Sequence, residues 1–120
     1  MSKSPMSWLH DVADHDYEAA HNYLSLKFDE DRADVMVTRL KKAKVTSRRA
    51  NDILRATGLP ALPLTDPGVQ QDLLKLLHGE KLSPVLVCDQ KTGADIADGY
   101  HRVSLAYNID PFLMVPLRLA

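Results

Sequence analysis

A segment with three prolines in ten residues, LPALPLTDPG at 59–68, divides this sequence into two parts with different patterns. Proline disrupts helix interiors and central strands, so no regular element can run through this segment. Apolar residues recur at helical spacing before it, whereas short β-branched runs follow it. We therefore expect one α+β domain over 1–120, with a helical N-terminal part at 1–60 and a mixed part at 61–120.

Helical spacing predicts two helices at the start of the first part. One lies over 16–28, and either Asp14 or Asp16 is suited to be its N-cap. The next begins from Asp29, where the three consecutive acids at 29–31 suit the positive end of a helix, and it ends near Ala43. The N-terminal part is thus expected to be helical from its beginning.

Capping residues predict two more helices on either side of the prolines. Thr46 or Ser47 is suited to cap a third helix, which Gly58 ends in the left-handed conformation. Asp66 followed by Pro67 is typical of an N-cap and first helical position, so a fourth helix should begin there.

The second part continues with a predicted hairpin, a helix and a last strand. PVLVC at 84–88 suits a strand buried on both faces, and QKTG can reverse the chain into a strand at 94–98. A helix is expected over 100–107. MVPLRL at 114–119 reads as a strand, with Pro116 tolerated if that strand lies at the edge of the sheet.

Charge is distributed unevenly although the net charge is only −1. Residues 1–36 carry −5, residues 37–59 carry +6 and residues 60–120 carry −2. Within the basic part, RLKKAKVTSRR at 39–49 has six bases, no acid and no aromatic residue. It fits a solvated helix end better than a nucleic-acid site, because single-strand binding usually adds stacking rings to the charges.

Composition indicates a cytoplasmic protein. No apolar run is long enough to span a membrane, so no membrane partner is expected, and the start of the chain lacks the pattern of a secretory signal. Cys88 is the single cysteine, and it cannot form an intramolecular disulfide. Its place in the apolar PVLVC run predicts a buried, unreactive thiol.

A group of histidines and acids lies near the start of the chain. Such side chains bind zinc and other divalent ions, but these spacings fit no compact metal motif, and we assign no metal site to them. His21 shares a helix face with apolar residues, which favours packing. The group consists of His10, Asp11, Asp14, His15, Asp16, Glu18 and His21.

The stretch DGYHR, Asp98 to Arg102, concentrates polar chemistry where a strand is expected to meet a helix. The first amides of a helix have no acceptor within it, and Gly99 allows a ligand to approach them closely. His101 and Arg102 add a switchable cation and a forked, permanent one, which suit phosphate oxygens. Asp98 could hold a metal ion on the phosphates or accept a proton from a hydroxyl.

A purely structural interpretation of the same stretch is equally compatible with the spacing. Asp98 could cap the helix, Gly99 could only make the turn, and His101 and Arg102 could face water. In that case the protein is a non-enzymatic interaction protein, or a weak nucleic-acid-binding protein that uses residues 39–49.

Three runs resemble the ParB N-terminal and sulfiredoxin-like superfamily: GEKLSPVLV at 79–87, IADGYHRVSLA at 96–106 and VPLRL at 115–119. The ParB turn G-[EH]-R-R-x-x-A-A, which holds a nucleoside triphosphate, matches Gly99, Arg102 and Ala106. The resemblance implies a small mixed sheet with a phosphate-binding turn, on which the N-terminal helices pack.

The departures from these families limit what the resemblance implies. Sulfiredoxins have a cysteine where this chain has Tyr100, and without that thiol we expect no reduction of sulfinic acids. Free-serine kinases of the superfamily share the aspartate, glycine, histidine and arginine of this turn, but their upstream glutamate has no counterpart that can be placed here. No helix-turn-helix module follows the ParB-like segment in these 120 residues, so we do not expect a full partition protein.

We therefore expect the turn to bind a nucleotide or another phosphate ligand, with Mg²⁺ as a companion ion and with phosphoryl transfer or nucleotide hydrolysis as the associated chemistry. Gly99, Tyr100, His101 and Arg102 are the candidate binding residues. Asp98 and His101 are the candidate catalytic residues. The sequence leaves the base, the acceptor, the oligomeric state and the presence of any enzymatic activity open.

Overall fold

The computed structural model describes residues 4–91 and 93–120. Over these residues the chain forms five helices and a four-stranded mixed sheet, which confirms the expected α+β class. The elements are α1 (Asp14–Lys27), α2 (Glu30–Lys42), β1 (Val45–Arg49), α3 (Ala50–Thr57), α4 (Pro67–Leu77), β2 (Val85–Gln90), β3 (Gly93–Asp98), α5 (Tyr100–Ile109) and β4 (Met114–Leu119).

The sheet has the strand order β1-β4-β2-β3. β4 pairs with β1 antiparallel and with β2 parallel, and β2 pairs with β3 as the predicted antiparallel hairpin. The strand β1 was not expected, since 1–60 was predicted to be helical. Thr46 and Ser47 lie in this strand and do not cap α3, whose N-cap is Arg49. All five residues of β1 are exposed, so no apolar alternation marked the strand.

The position of Pro116 also differs from the prediction, because β4 is a central strand. Pro116 lies opposite Ser47 of β1. The parallel pairing with β2 begins one residue later, at Leu117 opposite Val85. The imino acid therefore precedes the segment of β4 that pairs on both sides, and this explains how a central strand accommodates proline.

Helices cover both faces of the sheet. On one face α1 and α2 enclose a cluster that includes Leu24 and Leu40, and on the other α3, α4 and α5 enclose a second cluster. Successive residues of β2 alternate between the two clusters, with Leu86 facing α1 and α2 and Val85 facing α5. The prediction of a strand buried on both faces is confirmed.

The start of α1 is fixed by tertiary contact. Its N-cap is Ala13, whose side chain makes no capping bond and whose amide donates to Ser83 Oγ at 3.0 Å. The predicted aspartate caps are therefore wrong. Asp14 and Asp16 both lie within the first turn, and Asp16 is buried with its carboxylate directed toward α5.

The proline-rich segment crosses α5 and holds it in place. The amide of Leu62 donates to Ser104 Oγ at 3.0 Å, and Asn108 Nδ2 donates to the carbonyl of Leu62 at 2.8 Å. The segment then ends at Asp66, which caps α4 as predicted by accepting bonds from two backbone amides. In the described chain, the helices are too short or too polar to cross a bilayer.

Candidate functional site

The predicted turn joins β3 to α5 through Gly99. Its φ is 108°, a conformation that side chains rarely adopt, and a Cβ there would come within 2.8 Å of Val85 Cγ2. Gly99 is also the N-cap of α5 and has no side chain to bond the first amides. The interpretation in which Asp98 caps the helix is therefore wrong.

Arg102 is directed inward from the first turn of α5. Its Nη2 donates to Asp98 Oδ2 at 3.0 Å and to Asp16 Oδ2 at 3.3 Å, with a longer contact of 3.5 Å to the carbonyl of Pro84. Only 14 % of its side chain is exposed. Nε is buried without a partner in the described part of the chain. The guanidinium is thus neither a solvated surface cation nor free of internal partners.

Asp98 lies at the end of β3, and 19 % of its side chain is exposed. Burial raises the pKa of this carboxyl, the nearby Arg102 guanidinium opposes that shift, and Asp16 adds to it. Two carboxyl groups and one guanidinium therefore share a poorly solvated space beside the turn.

His101 and Tyr100 point toward neighbouring segments. The His101 ring packs against Gly68 in the first turn of α4, its Nε2 is 3.5 Å from Asp66 Oδ2, and 52 % of the side chain is exposed. The Tyr100 hydroxyl donates to the carbonyl of Pro60. The structure thus brings Asp98, Gly99 and Arg102 together, whereas Tyr100 and His101 line the adjoining side.

Two buried acids of this region were missed as site residues. Asp16 reaches Arg102 from α1, whereas the sequence suggested a helix cap for it and placed it in the N-terminal group of histidines and acids. Asp72 is buried on α4; burial raises its pKa, while the charge of Arg102 lowers it. The sequence signal that could have identified Asp72 is its position three residues after Val69, which places both on the buried face of α4.

The histidines and acids near the N-terminus are mostly paired with other groups. Asp11 accepts two bonds from Arg118 at 2.8 Å, and His21 Nε2 is 2.6 Å from Asp34 Oδ1. Within 4–91 and 93–120, no group of three or more histidines, cysteines or acids is placed to hold a metal ion.

Cys88 and the basic segment have contrasting environments. Cys88 is buried, as predicted, and burial raises the pKa of its thiol to about 11, which disfavours the reactive thiolate. The six bases of 39–49 are all exposed, and they extend from the end of α2 along the edge strand β1. Basic side chains on an edge strand also oppose pairing with another chain.

A scan against protein-family models, a search of curated proteins and a search of solved structures found no match to this chain. The resemblance to the ParB and sulfiredoxin-like superfamily therefore rests on its three sequence runs and stays a prediction.

Proposed function

We propose that the turn from Asp98 to Arg102 binds a phosphate group of a nucleotide. The observation that carries this proposal is the N-terminus of α5, where Gly99 supplies no side-chain cap. The first amides of a helix lack acceptors within it, and the helix dipole adds positive potential there. Phosphate oxygens are the acceptors that such amides bind well.

The position of Arg102 supports the same ligand. A Cβ on Gly99 would lie 2.9 Å from Arg102 Nη2, so the guanidinium lies directly beside the glycine at which the helix begins. Arginine and helix amides next to each other favour an anion with several oxygens. The half-exposed His101 adds a cation to the rim when it is protonated.

The proposal includes phosphoryl transfer or nucleotide hydrolysis, with Asp98 and His101 as the candidate catalytic residues. A carboxylate beside a bound phosphate can contact Mg²⁺ or accept a hydroxyl proton. In this proposal Mg²⁺ arrives with the nucleotide, bound to its phosphates. It would then reduce the repulsion between the phosphates and the carboxylate of Asp98.

The chain order supports a ParB- or sulfiredoxin-like arrangement as the finer fold type. The resemblance implies a helix, a strand, a later strand that ends in the glycine turn, and a helix that opens from this turn. Helix α4, strands β2 and β3 and helix α5 follow in that order. We propose this type for residues 61–120, with α1 and α2 covering the face of the sheet opposite α5.

Calorimetric titration and thermal unfolding test the proposal, with ATP, GTP and pyrophosphate as probes, each with and without Mg²⁺. A ligand at a hundred times its Kd should stabilise the wild type by about 2.7 kcal/mol. Arg102→Lys keeps the charge but loses the planar fork, so it should bind less tightly. Arg55→Lys is the control, because Arg55 is an exposed arginine on α3. No binding at millimolar concentrations would refute the proposal.

Weak nucleic-acid binding is a second candidate function, favoured by the exposure of all six bases along 39–49. Binding by such a surface would be insensitive to sequence and would weaken steeply with salt because counterions are released. Titration of duplex DNA at two salt concentrations tests this, and an affinity that does not change between them would exclude it.

A further inference from the structure

We infer that Asp16 determines the affinity of the proposed phosphate site, because its carboxylate occupies Arg102 and must leave before a phosphate can bind there. The inference rests on the proposed function and adds a residue from a distant helix to the site. Asp16 thereby acts as an internal competitor of the ligand.

The contacts of Arg102 show the competition directly. Nη2 is shared between Asp98 and Asp16, at 3.0 and 3.3 Å. Asp98 is held next to Arg102 by the turn itself, four residues earlier in the chain. Asp16 is 86 positions away and reaches Arg102 only because α1 packs across the sheet. The longer and more distant of the two contacts is the one that a ligand would replace.

Packing of α1 keeps this competitor in place. Asp16, Ala20 and Leu24 follow at intervals of four residues on one buried helix face. The side chain of Asp16 is only 6 % exposed. An intramolecular group held in this way competes at a high effective concentration, so an external anion must bind strongly to displace it.

The charge balance leads to the same conclusion. Two carboxylates face one guanidinium, and the buried Asp72 is near enough for the charges of Arg102 and Asp16 to affect its pKa. His15 Nε2 lies 3.1 Å from Asp16 Oδ1, but its side chain is 82 % exposed. A phosphate added to this group meets repulsion in a poorly solvated space, and removing the charge of Asp16 should relieve it.

Asp16→Asn tests the inference, with pyrophosphate and ATP–Mg²⁺ as probes in calorimetric titration. The amide keeps the size of the side chain and removes its charge. We expect at least about tenfold tighter binding than in the wild type, a factor equivalent to about 1.4 kcal/mol. Asp14→Asn is the matched control, because it removes an acid from the same turn where the side chain is exposed. The control should bind like the wild type.

A measurement on the wild type avoids dependence on how the variant folds. The carboxyl ¹³C NMR signal of Asp16 should shift as pyrophosphate saturates the protein, since this carboxylate loses its contact with Arg102. A wild type that binds with an unmoved Asp16 signal, or an Asp16→Asn variant that folds and binds no more tightly, overturns the inference alone. If neither protein binds either probe, the proposed function fails as well.

Discussion

Helices α4 and α5 begin side by side, but their first backbone amides are treated differently: those of α4 are capped by a side chain and those of α5 are not. At α4, Asp66 accepts bonds from the amides of Gly68 and Val69, at 3.0 and 3.1 Å. At α5, Gly99 offers no side chain. The two ends touch, because the His101 ring packs against Gly68.

The first amides of α4 thus have a side-chain acceptor within the chain, whereas no side chain caps those of α5. An N-cap contributes about 1 kcal/mol to stability, so a helix without one forgoes a common stabilising contact. At α5 the neighbouring polar interactions come from Arg102, Asp98 and Asp16. The comparison predicts that substitutions at the start of α4 change mainly stability, whereas substitutions at the start of α5 change stability and phosphate binding.

The largest effect is expected for Arg102→Ala, which would show how strongly the uncapped end depends on its ion pairs. The substitution leaves Asp16 and Asp98 without their cation in a buried setting, and stability should fall by about 3 kcal/mol. Urea denaturation measures it. Arg118→Ala is the control, because Arg118 is equally buried but its partner Asp11 is 54 % exposed and can be hydrated. Equal losses for the two arginines would contradict the interpretation.

Gly99→Val should have the next largest effect, because strain and collision add at this residue. A β-branched side chain at a φ of 108° would also meet Val85, so we expect a loss of about 2–3 kcal/mol. Gly58→Val separates the two causes, since Gly58 has a φ of 70° and no atom within 4 Å of a Cβ. Thermal unfolding should show a smaller loss for Gly58→Val; an equal loss would mean that the contact with Val85 is unimportant.

Asp66→Ala should reduce stability by about 1 kcal/mol, as the loss of an N-cap typically does. Urea denaturation with Asp52→Ala as an exposed control on α3 measures this difference. Asp66 Oδ2 also lies 3.5 Å from His101 Nε2, so phosphate binding at α5 should change only through that contact and only where His101 is protonated. A variant that is as stable as the wild type would show that the two helix starts do not differ in the way their contacts indicate.

A smaller effect that depends on pH is expected for Asp72→Asn, on the buried face of α4. Burial raises the pKa of Asp72 above its ordinary value of 3.8, so the folded state holds this proton to higher pH than the unfolded state does. The stability that protonated Asp72 contributes to the wild type is therefore fully present below pH 3.8, and it is lost as the pH rises through the pKa of the folded state. Urea denaturation should show the variant to be the more stable protein at pH 7, with a difference that shrinks toward pH 4. A constant difference would contradict this.

Local signals made several elements predictable. The pair Asp66 and Pro67 located the start of α4, and the apolar PVLVC run located a strand buried on both faces. Gly99 located the junction of β3 and α5. Each of these features depends on residues close together in the chain, and capping and periodicity are properties of short segments.

The features that were missed depend on contacts between distant residues. Strand β1 carries no apolar alternation because all its residues are exposed, and it is a strand only through its pairing with β4. Asp16 looked like a helix cap, and its bond to Arg102 spans 86 positions. Arg102 therefore looked free to bind a ligand, although the fold surrounds it with carboxylates.

The central place of β4 has a consequence for biosynthesis. Arg49 and Met114 pair, although 65 positions separate them, and β2 needs the same strand on its other side. Until residues 114–119 have emerged from the ribosome, the strand that lies between β1 and the β2–β3 hairpin is missing. Pairing over such sequence separations is slow because a long loop must close first. We expect the nascent chain to stay sensitive to proteases until β4 emerges, and then to become resistant in one late step.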